Sequence, residues 1–131
     1  MSTGESSTPL GRVRGAGSAR HGGEHWLRER LTSAALLLLG VWLVASLLML
    51  PSLDHRTVSE WLRSASGAVP MALFVIVSFV HALDGMKVVV DDYVHDAGNN
   101  LMLNGLILFA GIGGLALALF SLAKVAFGNP E

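Results

Sequence analysis

His81 is the one histidine of this chain that lies inside a long charge-free run, which spans residues 64–83. An imidazole at membrane depth is costly unless it has a partner, and such residues mark functional positions. A neutral imidazole is also a good axial ligand for haem iron. Gly85 follows one helical turn later on the same face. Its missing side chain would let a flat macrocycle approach, or equally let a second helix pack closely. Asp92 and Tyr93 stand eleven and twelve residues beyond His81. A phenol there can donate to a quinone carbonyl while the carboxylate orients it or relays a proton. The plainer readings are a tyrosine of the interfacial aromatic belt and an aspartate solvated at a helix end.

These residues need membrane-spanning elements to position them. Of the 131 residues 52% are hydrophobic, and they gather into three charge-free runs, 31–53, 64–83 and 97–123. Each is near the length that crosses roughly 30 Å of hydrocarbon. A soluble domain would interrupt such runs with charges on a solvent face. The fold class predicted is therefore all-α, an integral membrane protein with three transmembrane helices, over about 25–50, 64–90 and 101–127. Residues 57–63 read as a short interfacial helix, with Trp61 at headgroup level and Arg56, Glu60 and Arg63 in water. Residues 91–100 read as a polar connection. Residues 1–23, rich in Ser, Gly and Arg without apolar periodicity, read as a flexible cytoplasmic arm retained in the mature protein; 24–128 form the anchor.

Arg12, Arg14, Arg20, Arg28 and Arg30 precede the first span, whereas the first loop holds only Arg56 and Arg63. The positive-inside rule then places the N-terminus on the cytoplasmic or matrix side, together with Lys87, Asp92 and Tyr93. On a helix ending near Val90, His81 lies roughly 14 Å inward from that face. Arg30 is either a positive-inside anchor or a charge partner for haem propionates, with Arg28 and Lys87 as weaker candidates. Asp84 is a proton-path residue or simply reaches the interface.

The chain has no cysteine, which excludes disulfides, thiolate metal sites and iron–sulfur ligation by its own residues. Its net charge of −1 speaks against nucleic acid as a partner. His21, His25, His55 and His95 all lie outside the spans. A haem on His81 is thus five-coordinate or takes its second ligand from another subunit. The third span shows Ala110, Gly114 and Ala118 at four-residue spacing, with Gly111 and Gly113 beside them; it reads as a packing helix without chemistry.

The string His81-Ala-x-x-Gly85-x-x-x-Val-x-x-Asp92-Tyr93-Val94 resembles the small hydrophobic membrane-anchor subunit of succinate dehydrogenase, respiratory complex II. The N-terminal Gly11-Arg12-Val13-Arg14-Gly15-x-Gly17-Ser18-Ala19, followed by His25-Trp26 and Arg30-Leu31-Thr32, resembles the start of bacterial members of that family. The likeness runs from about Gly11 to Gly128. It implies that His81 is one axial ligand of haem b, with the other from a large cytochrome b-type anchor subunit. It further implies that Tyr93 hydrogen-bonds ubiquinone in a pocket shared with the iron–sulfur subunit, that Asp92 belongs to that pocket, and that Arg30 lies near the propionates. A flavoprotein subunit would oxidise succinate, and the complex would sit in the bacterial inner membrane. Asp84, Lys87 and Asp91 depart from the pattern of some relatives by adding charge.

The expected function is that of an anchor of succinate:ubiquinone oxidoreductase, not catalytic alone. The alternatives are an anchor of a quinol:fumarate reductase, or a non-redox assembly or transport subunit in which His81 only packs.

Overall fold

The computed structural model describes residues 22–128, which form four helices and no strand. Helix α1 is Gly22–Met49, α2 is His55–Arg63, α3 is Ala65–Tyr93 and α4 is Ala97–Phe127. The arm expected over 1–23 falls outside the described residues, except that Gly22 and Gly23 open α1. The long helices hold 28, 29 and 31 residues. At 1.5 Å per residue each is ~40–47 Å long, well over the hydrocarbon thickness. All three are long and apolar enough to cross a membrane, and their ends must project into the headgroup region.

Helix α3 is the centre of the bundle. It packs against α1 on one side and α4 on the other, whereas α1 and α4 do not meet closely. The helices run antiparallel: Thr32 meets His81 and Arg28, one turn earlier on α1, meets Asp84, one turn later on α3. Against α4, small residues set the approach. A Cβ on Gly111 would lie 2.5 Å from Leu83 Cδ2, and one on Gly114 would lie 2.9 Å from the Phe79 ring. The seam therefore uses Gly111 and Gly114. Gly113 faces open space, and Ala110, expected in the stripe, is exposed.

The short α2 closes the end where α1 finishes and α3 begins. Asp54 caps it by accepting from the Thr57 amide. Hydrogen bonds from Ser52 and from the Thr57 amide and hydroxyl hold the Asp54 carboxyl at about 2, below its ordinary 3.8. Arg56 pairs with Glu60 one turn on, which raises the arginine further above its usual range. Trp61 stacks on Trp42 of α1 with ring centroids 5.7 Å apart. Ser64 then serves two helices: its amide donates to Trp61 O, ending α2, and its hydroxyl oxygen accepts from the Gly67 amide, starting α3. The turn is so tight that a Cβ on Gly67 would fall 2.2 Å from the Trp61 carbonyl oxygen.

The two boundaries around the α3–α4 connection differ from the sequence-based expectation by three or four residues. Helix α3 does not end near Val90 but continues to Tyr93, and α4 begins at Ala97 rather than near Leu101. The polar connection shrinks to three residues, 94–96. Side-chain bonds cause this. Lys87 pairs with Asp91 across one helical turn, Asp91 accepts from Asn100 and Asn104 of α4, and Asp96 caps α4 through the Asn99 amide. The polar residues that looked like a loop are helix-forming partners of one another.

Candidate functional site

The second half of α3 presents three faces. Asp84 and His81 turn toward α1, and Leu83 and Asp91 toward α4. The third face is left uncovered. At about 100° per residue, Gly85 lies about 40° round the helix from His81 and Asp92 about 20°, so the three line up along one edge. Ala82, Met86, Val89 and Tyr93 fill the rest of that face.

There the chain forms an open groove of about 430 Å³, lined by His81, Ala82, Gly85, Met86, Val89 and Val90 of α3 and Ile107 of α4. Its walls are almost wholly apolar, with His81 the only ionisable residue. A Cβ built on Gly85 meets nothing within 4 Å. The glycine is thus not spent on packing against α1 or α4. It keeps the groove floor flat and free.

His81 is half-buried, and its Nδ1 lies 3.0 Å from the Thr32 hydroxyl oxygen of α1. This is the contact a merely packing histidine would make. It occupies one ring nitrogen; Nε2 makes no hydrogen bond among the described residues. A histidine can satisfy a neighbouring helix and still offer a lone pair.

One turn further along, Arg28 of α1 pairs with Asp84 of α3. The Asp84 side chain is only 13% exposed and the Arg28 side chain 55%. Asp84 Oδ2 is buried with no hydrogen-bond partner among the described residues. Asp84 is therefore a helix–helix clasp and does not reach the interface as a solvated group. Arg30, two residues from both Arg28 and Thr32, is about 200° round α1 from Arg28. It is exposed, with its guanidinium 5.4 Å from the centre of the Trp26 ring. The structure does not bring Arg30 to the groove.

The doubled acid before the tyrosine separates cleanly. Asp91 is occupied by Lys87, Asn100 and Asn104, and Asn100 also donates to the carbonyls of Val90 and Val94. Asp92 is exposed and makes none of these bonds. Tyr93, the chain's single tyrosine, is 80% exposed on the final residue of α3. Asp92 and Tyr93 thus stand side by side, both exposed, at the end of the grooved helix, ~17–18 Å along it from His81.

Among the described residues no three His, Cys, Asp or Glu side chains gather as a metal cage. His55 and His95 are exposed and do not line the groove, His25 lies in the first turn of α1, and His21 falls outside the described residues. The sequence places Thr32 only within the string Arg30-Leu31-Thr32 and gives it no role of its own. Its signal was faint: a hydroxyl one turn after Arg28, on a face whose partner only the packing of α1 on α3 reveals.

A family model described as succinate dehydrogenase/fumarate reductase transmembrane subunit matches residues 5–120. The chain is 34% identical over 95 residues to the succinate dehydrogenase hydrophobic membrane anchor subunit of Rickettsia conorii, covering 70% of this chain and 75% of that one. To the Rickettsia bellii protein of the same name it is 34% identical over 83 residues, with coverage of 63% and 66%. To that of Paracoccus denitrificans it is 26% identical over 121 residues, with coverage of 92% and 93%.

Proposed function

The chain belongs to the succinate dehydrogenase/fumarate reductase transmembrane subunit family, and from that premise we propose that it is the hydrophobic membrane anchor of a succinate:ubiquinone oxidoreductase, supplying His81 to haem b and Tyr93 and Asp92 to the quinone-reduction pocket. The observation that carries this reading is the groove. A lone imidazole stands at its edge, an unfilled glycine lies one turn away, and apolar side chains of α3 with Ile107 of α4 line the space.

A single histidine with no companion ligands is poorly suited to a bare ion, which needs several protein donors. It suits iron that brings four ligands of its own in a planar macrocycle. Gly85 leaves room for that plane, and Met86, Val89 and Ile107 offer it apolar contact. Bound there, haem b would accept and return one electron at a time. For the propionates the guanidinium without a carboxylate partner among the described residues is that of Arg30, since Arg28 is held by Asp84. To serve, Arg30 must leave Trp26 and reach round α1. The second axial ligand would come from a large cytochrome b-type anchor chain lying over the groove.

At the exposed end of α3, the Tyr93 hydroxyl would donate to a quinone carbonyl. Asp92 beside it would hold a proton for the reduced oxygen, since reduction of a quinone consumes two electrons and two protons. Electrons would arrive from an iron–sulfur subunit docked on that face and ultimately from a flavoprotein subunit that oxidises succinate. The chain catalyses nothing alone. It would lie in the bacterial inner membrane with its N-terminus, Asp92 and Tyr93 toward the cytoplasm. The family description also covers fumarate reductases, so the reverse direction is the second reading, distinguished by the quinone species in the purified membranes.

The test is a reduced-minus-oxidised spectrum of the purified complex beside its His81→Ala variant. Loss of the haem b band in the variant supports the assignment. An unchanged band means that His81 is no ligand, and its bond to Thr32 is then its whole role.

A further inference from the structure

We infer that Thr32 is a positioning residue for His81: its hydroxyl oxygen accepts the imidazole Nδ1–H and thereby leaves Nε2 as the nitrogen that binds iron. The inference rests on the haem reading above but concerns a residue to which that reading gives no part.

It follows from counting protons. A threonine hydroxyl carries one hydrogen and two acceptor lone pairs. Thr32 Oγ1 lies 3.0 Å from the Arg28 carbonyl oxygen and 3.1 Å from that of Glu29, both on its own helix. Those oxygens can only accept, so all three contacts of Thr32 Oγ1 are met together only if its hydrogen goes to them, shared between the i−4 and i−3 carbonyls. This is the common arrangement of a threonine within a helix. What remains toward His81 is a lone pair at 3.0 Å from Nδ1. A lone pair needs a hydrogen opposite it, which places the proton of the neutral ring on Nδ1. Nε2 is then unprotonated, the tautomer that ligates a metal.

The surrounding contacts hold this bond in register. The Arg28–Asp84 pair lies one turn from Thr32 on α1 and nearly one turn from His81 on α3. It fixes the sliding of α1 along α3 at the point where the hydroxyl must meet the ring. His81 lines the groove together with Gly85. The ring is therefore held by α1 through Nδ1 and borders the groove as well. An accepted hydrogen bond on Nδ1–H also makes the imidazole a stronger electron donor, which favours the oxidised iron.

The experiment uses the purified complex with Thr32→Val, which keeps the branched shape and removes the hydroxyl, and Thr32→Ser, which keeps the hydroxyl. His81→Ala is run in parallel. The measurements are haem retained per complex under dilution, the low-temperature electron paramagnetic resonance of the oxidised haem, and its midpoint potential. Thr32→Val should weaken haem retention by about tenfold or more, shift the lowest-field resonance and raise the potential, while Thr32→Ser restores all three toward the parent. If the valine variant fails to assemble, Thr32→Ala replaces it in the comparison with serine. Parental resonance and potential in a hydroxyl-free variant overturn the role of Thr32, as does a serine variant that behaves like valine. A His81→Ala complex that keeps its haem overturns the ligand assignment itself. The two failures are thus told apart.

Discussion

At its first turn α3 is held by residues that are its neighbours in sequence. Ser64 caps it, and Gly67 lies under the Trp61 carbonyl. At its other end the holding residues come from far away: Thr32 is 49 positions from His81, Arg28 is 56 from Asp84, and Asn104 reaches Asp91 from α4. The groove lies at the long-range end. That end leaves one ring nitrogen, one buried carboxylate oxygen and the Asp92–Tyr93 pair unmatched among the described residues. Local polar contacts shape a turn. Polar contacts between helices, left incomplete, make a site.

The contrast can be broken from either end. The largest effect belongs to Gly67→Ala, because its new Cβ would collide with backbone rather than with a side chain that can swing aside. We expect a loss of about 3 kcal/mol, read as a lowered thermal midpoint of the assembled complex, with an unaltered haem spectrum in the molecules that survive. An altered spectrum would show that the two ends are mechanically linked.

Next comes a pairwise test of the two adjacent acids. Asp91→Ala removes the tie between α3 and α4 and should lower the thermal midpoint by a few degrees. Asp92→Ala should leave the midpoint alone and reduce quinone reduction by about a hundredfold. Tyr93→Phe should reduce it by about tenfold, and both should spare electron transfer to an artificial acceptor at the peripheral subunits. Reversed roles for Asp91 and Asp92 would refute the division between tie and site.

The smallest effect is a pH response confined to α2. The folded Asp54 carboxyl titrates near 2 instead of 3.8, so its capping contribution is complete above 3.8 and disappears as the pH falls toward 2. Tryptophan fluorescence from the Trp42–Trp61 stack should change in that window and cease to do so in Asp54→Asn. A transition that persists in the asparagine variant would place its origin elsewhere.

The three spans could be read from sequence because lipid leaves a plain mark: no charge for twenty residues or more. His81, Gly85, Asp92 and Tyr93 could be read as one set because a single helix carries all four. What escaped was set by how the helices meet. Asp91 looked like the start of a loop since charges usually mark one, yet paired with Lys87 it stabilises the last turns of α3. Asp84 looked solvated because its partner is carried by a different helix. On α4, periodicity offered five small residues, and only the contacts of Leu83 and Phe79 tell which of them form the seam.

No apolar side chain among the described residues is fully enclosed. Leu37, Leu38, Val44 and Leu48 along α1, like Leu106, Phe109 and Leu117 along α4, face outward. Such positions answer to oiliness and not to shape, so leucine, valine, isoleucine and phenylalanine can trade places there at little cost. Two descendants of one ancestor can thus drift far apart in letters while keeping the few clasps that orient the imidazole. That freedom accords with relatives sharing only 26% to 34% of aligned residues.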